Sequence, residues 1–183
     1  WMKVGIQQPV QLVDIVSETS KNGNHFLAFY FENKKGERVS KTEWEVRTNK
    51  PVEQMDSEEK EAYLTKVKNQ MARVSMIAKQ FVDKTELIFE APNFKAFADT
   101  IKQKLGDKYK GIDLRIKVVY DYNDWATLPS YVKFPWIERI DQVPDNESKI
   151  EILDIDKMKV KKDATNLNTE ENPVMGEKDD LPF

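Results

Sequence analysis

The sequence predicts a mainly β domain with helices inserted in it, followed by an acidic tail. Three observations lead there. Apolar and alternating runs broken by Gly-containing turns fill residues 10–47. Two segments with apolar residues three and four apart occupy residues 57–105. From about residue 161 the pattern stops and acids take over.

Length and composition bound the rest. At 183 residues the chain suits one domain with appendages. Hydrophobic residues make up 39% and charged residues 33%, so a core forms only if part of the chain stays outside it. There is no Cys and one His, which excludes disulfides, thiolate metal sites and zinc knuckles. No cofactor is expected. No apolar run approaches the ~18–20 residues of a membrane span, and no secretory leader is visible.

Val10 to Val16 reads as a first strand, and Lys21-Asn22-Gly23-Asn24 as a hairpin turn, since Asn-Gly supplies positive φ. His25 to Glu32 is apolar on both faces and reads as a central strand. Asn33-Lys34-Lys35-Gly36 turns into a third strand, Arg38 to Arg47. Asp56 then caps a helix, with Glu59 completing a capping box. Its stripe of Leu64, Val67, Met71, Val74, Ala78 and Phe81 is expected to face the core. Leu87 to Phe89 is a short strand or apolar link. A second helix runs from about Asn93 to Leu105, with Gly106 ending it. Ile112 to Tyr120 alternates, with Leu114, Ile116 and Val118 on one face and Arg115 and Lys117 on the other. An aromatic-dense connection follows, then a final strand from Lys149 to Asp156. Three strands, two helices and two further strands fit a five-stranded Greek-key barrel of the oligonucleotide/oligosaccharide-binding (OB) type. An open α+β sandwich is the alternative. The expected boundaries are residues 1–160 for this domain, with the helical insertion at about 57–105, and 161–183 for a disordered tail.

Charge is unevenly spread. Residues 163–183 hold six acids and one base, while residues 1–162 hold 28 bases and 26 acids. A weakly basic body permits nucleic-acid binding without arguing for it. The stronger signal is a group of rings, Tyr120, Tyr122, Trp125, Tyr131, Phe134 and Trp136, interleaved with Arg115, Lys117, Lys133 and Arg139. Such rings either close the end of a barrel or stack bases while the cations follow phosphates. Trp44, with Lys41 and Arg47 nearby, is a second candidate. Catalytic constellations are thin. Glu43 with Glu45 and Asp154 with Asp156 read as solvent-side charges on strands, and no Walker-type or Gly-x-Ser-x-Gly motif is present. An enzyme is not expected.

The chain ends in Asp179-Asp180-Leu181-Pro182-Phe183. This ending resembles the Asp-Asp-Ile-Pro-Phe-like tip of bacterial single-stranded DNA-binding proteins. Thr42-Glu43-Trp44, the run Leu114 to Tyr120, Leu128-Pro129 and Pro135-Trp136-Ile137-Glu138 add a looser resemblance to phage- and plasmid-type members. The resemblance implies sequence-independent protection of single-stranded DNA in replication, recombination or repair, in the cytoplasm of a bacterium or a phage-infected cell. It also implies recruitment of partner enzymes through residues 179–183. The family's Gly/Gln/Pro-rich linker is missing and the helical insertion is extra. A homo-oligomer is among the expected partners, and both departures argue against the family's usual homotetramer. Two rivals differ in class: a mimic that displays the tip to sequester host enzymes, and a metal-dependent nuclease or transferase using Asp154 and Asp156.

Overall fold

The computed structural model describes residues 1–156. Among them are six strands in one mixed sheet and two α-helices. The strands are β1 (Gly5–Thr19), β2 (His25–Asn33), β3 (Arg38–Trp44), β4 (Leu114–Tyr120), β5 (Ala126–Thr127) and β6 (Ile137–Arg139). The helices α1 (Ser57–Ala78) and α2 (Phe94–Leu105) both lie between β3 and β4 in the chain.

The first three strands form the antiparallel meander that the two turns dictate. Gly23 at φ +79° and Gly36 at φ +76° supply the left-handed backbone that side-chain-bearing residues resist. β2 is paired on both edges and buries Leu27, Ala28, Phe29 and Phe31, as its two apolar faces predict. β3 in turn pairs in parallel with β5 through Ser40 and Thr127. β4 pairs with β1 along one edge, while β6 and β5 share its other edge in tandem.

Both helix starts match their sequence signals. Asp56 accepts from the Glu59 amide and Glu59 returns the bond, and Asn93 accepts from the Ala96 amide. α2 buries Phe97, Ala98, Ile101 and Leu105 against the inner face of the sheet, and Gly106 ends it at φ +47°. α1 buries only Gln70, Val74, Ile77 and Ala78. Contrary to expectation, Leu64 and Met71 on its stripe are exposed, because the first half of this helix runs past the body instead of over it.

Of the two readings of Leu87 to Phe89 the apolar link holds: Leu87 ends a 3₁₀ turn (Lys84–Leu87) and no strand follows. One further expectation needs correcting. The segment 149–156 is not a strand. Its polar groups serve a turn, where the Asp156 amide donates to the Leu153 carbonyl and the Leu153 amide to the Asp156 carboxylate. The last strands are instead β5, within the aromatic connection that runs from Asp121 to Trp136, and β6, directly after it. The acidic tail expected at 161–183, with its tip, lies outside the described residues.

Candidate nucleic-acid interface

Strand register sorts the candidate residues. On β2 and β3 the facing pairs Leu27–Glu43, Phe29–Lys41 and Phe31–Val39 share the inner face. The pairs Phe26–Trp44, Ala28–Thr42, Tyr30–Ser40 and Glu32–Arg38 share the outer one. Trp44 is 49% exposed, and its ring centroid lies 4.9 Å from that of Phe26, tilted by 45°. Arg38 pairs with Glu32 at 2.5 Å. Trp44 lies six residue steps along the strand from Arg38, roughly 20 Å at the usual rise. Phe26 and Tyr30 were legible as one face of β2, but nothing local told which face meets water.

The loop from β4 to β5 displays the second ring group. Asp121 organises it: its carboxylate accepts from the Asn123 and Trp125 amides, and its own amide donates to the Trp125 carbonyl at 2.9 Å. Asp124 takes the positive φ of 60° that this turn needs. The result holds Tyr122 at 83% exposure and Trp125 at 53%. Because β5 runs parallel to β3 with Thr127 beside Ser40, this loop joins the sheet at the Arg38 end of β3. Trp44 and Phe26 stand at the opposite end of the same strand pair.

Several sequence candidates are withdrawn from solvent, and each has a reason. Trp136 is 0% exposed and donates its indole N–H to the Tyr131 carbonyl, so it is core. Lys117 is wholly buried; its ammonium donates to the Glu151 carbonyl and to Asp156, each at 2.7 Å, and lies 5.1 Å from the Tyr131 ring centroid. Arg115 is buried by Glu138, Asp145, the Gln8 side chain and the Val143 carbonyl. The face of β4 expected to be basic and open is thus neutralised by the chain's own segment 138–156. Alternation correctly separated the two faces of β4; it carried no information about a later segment covering the polar one.

Lys41 shares the inner face with Phe29. It donates to the Ser130 hydroxyl at 2.8 Å and the Leu128 carbonyl at 3.2 Å. Burial pushes its pKa down to about 8; nearby Glu43 opposes the shift and Arg73 adds to it. Arg73 engages both oxygens of Glu43, and Gln70 donates to the Trp44 carbonyl at 2.6 Å. Glu43 is therefore internal, not a solvent-side partner of Glu45. Asp156 likewise faces Lys117, away from any shared site with Asp154.

The remaining candidates are intermediate or open. Tyr131 is half-buried with its hydroxyl on Asp156, and Tyr120 is half-buried at the end of β4. Arg47 and Lys133 are exposed, and the Lys133 ammonium sits 5.5 Å from the Phe134 ring centroid. The structure thus keeps Trp44, Tyr122, Trp125, Arg47 and Lys133 at the surface and takes Lys41, Arg115, Lys117 and Trp136 inside. Among the described residues no group of three or more His, Cys, Asp or Glu is arranged to hold a metal ion, and no helix is long and apolar enough to cross a membrane. No protein-family model, curated protein or solved structure matches the chain.

Proposed function

We propose that this protein binds single-stranded DNA without sequence preference, on an OB-type barrel. The barrel reading is supported by pairings that run β1–β2–β3–β5–β4 and return to β1, with both helices between β3 and β4. The binding reading rests on one observation: exposed rings on the outer β2–β3 face and on the β4–β5 loop, the two regions that such barrels offer to nucleic acid. Trp44 over Phe26, then Tyr122 and Trp125, stack bases, and every base has a π-face to offer. Exposed cations such as Arg47 and Lys133 follow the phosphates. Recruitment of replication or repair enzymes through Asp179 to Phe183 is part of the proposal and rests on the resemblance of that tip.

Titration of fluorescent oligo-dT tests it. Trp44→Ala and Trp125→Ala each weaken binding by about 5- to 150-fold, the worth of one stacked base, while both variants melt like the parent. Affinity falls with salt at a log–log slope of about −0.7 per phosphate neutralised. Equal affinity for duplex, or two folded variants that bind like the parent, refutes stacking. Removal of Phe183 leaves the titration unchanged and abolishes capture of the partner enzyme by pull-down. Capture that survives refutes the role of the tip.

A further inference from the structure

The first half of α1 is largely exposed. Glu59 pairs with Lys50 at 2.5 Å, and one side of the helix borders a cleft with Trp44 and Val46. Between Ser57 and Lys68 only Tyr63 and Val67 are partly covered, and buried side chains begin at Gln70. Leu64 is 53% exposed and Met71 37%. Seven residues apart, they lie within about 20° of one line along the helix. Leu64 also forms one wall of a shallow depression that includes Glu61, Thr65 and Lys68. Positions 61, 64, 65 and 68 have the i, i+3, i+4, i+7 spacing that frames a hole for a side chain of a facing helix.

Charge along the same stretch is uneven. Glu58, Glu59 and Glu61 precede Leu64 with Lys60 among them, while Lys66 and Lys68 follow it, all exposed. Lys60 also borders the depression. A second copy of the helix laid parallel sets Glu61 beside Glu61 and Lys68 beside Lys68. Laid antiparallel, with the two-fold axis between Leu64 and Thr65, it sets each Leu64 into the other's depression. Each Glu61 then faces the Lys68 of the other copy. A two-fold contact requires this self-complementarity, in which residue i meets j and j meets i.

We infer that α1 is a self-docking surface, through which two copies associate antiparallel with mutual Leu64 insertion and paired Glu61–Lys68 contacts. The contact spans a few turns of one helix per copy, below the roughly 1,000 Å² of a stable interface, so the dimer is weak and concentration-dependent. The inference is independent of the DNA-binding proposal and is tested without DNA.

Sedimentation velocity on the full chain, from about 10 µM to about 1 mM, resolves the association expected of such a contact. The parent shifts from monomer to dimer across this range. Glu61→Lys and Lys68→Glu each place like charges across the axis and weaken association by at least about tenfold. Both sites are exposed, and circular dichroism checks that the helix persists. Mixing the two variants restores complementary charges at both contacts, as does combining the substitutions in one chain. Association then returns to within about threefold of the parent. A parent that stays monomeric overturns the inference and leaves the face to a different protein. So does a dimer indifferent to both reversals, or a mixture that fails to recover.

Discussion

Lys41 offers a test of the interior that needs no ligand. Its ordinary pKa of 10.5 falls to about 8 in the fold, chiefly because burial disfavours the ammonium. Between those two pH values the unfolded chain holds a proton on this residue that the folded chain has released. The unfolded state binds more protons there, so raising the pH favours the fold. Across the window the gap corresponds to about 3 kcal/mol. Lys41→Met keeps an unbranched side chain, one heavy atom shorter, and removes the titration. Urea unfolding at fixed ionic strength, followed by Trp fluorescence from pH 7.5 to 10.5, measures both proteins. The parent gains about 3 kcal/mol relative to the variant as pH rises from about 8 to 10.5. The difference between the two curves is needed because Tyr131 works the other way. Burial and its bond to Asp156 push its phenol well above the ordinary value of 10, so stability is lost above pH 10 in both proteins. A flat difference across the window refutes the buried, deprotonating amine and returns Lys41 to the surface as a phosphate contact.

Asp156→Asn strips the buried Lys117 ammonium of its charge partner and should cost about 3–5 kcal/mol, read as a lower urea midpoint. A loss under about 1 kcal/mol would mean that Lys117 reaches water and remains available to DNA. Trp136→Ala opens a cavity in the core and should cost about 3–5 kcal/mol. Trp44→Ala, at a half-exposed position, should cost no more than about 1 kcal/mol, and equal losses at the two sites would contradict their opposite placement.

Local chemistry was legible in the sequence wherever it is self-contained. The Asn-Gly turn, the Asp56 and Asn93 caps, the doubly apolar β2 and the position of both helices after β3 depend on residues within a few positions of one another. Tyr122 and Trp125 were legible as candidate rings but not as exposed ones; the turn built around Asp121 is what holds them in water. Alternation on β4 also separated Leu114, Ile116 and Val118 from Arg115 and Lys117 as predicted.

What covers each face was a different matter. Arg115 and Lys117 are polar and alternate with core residues, and that pattern reads as a solvent face on any isolated strand. Glu138, Asp145 and Asp156 arrive there from 23 to 39 residues downstream, and the cations are sealed by ion pairs no local window contains. Lys41 followed the same logic, a cation whose partners Leu128 and Ser130 lie 87 and 89 residues away in sequence. The sequence by itself determined the β1–β3 meander, the two capped helices after it and which residues share a face of β2 and β4, but not the strands that follow β4. Tertiary structure alone decided which polar face is buried against its own counter-charges and which apolar stripe, at Leu64 and Met71, is left in water. Burial is a property of two surfaces brought together, and each stretch of sequence describes only one of them.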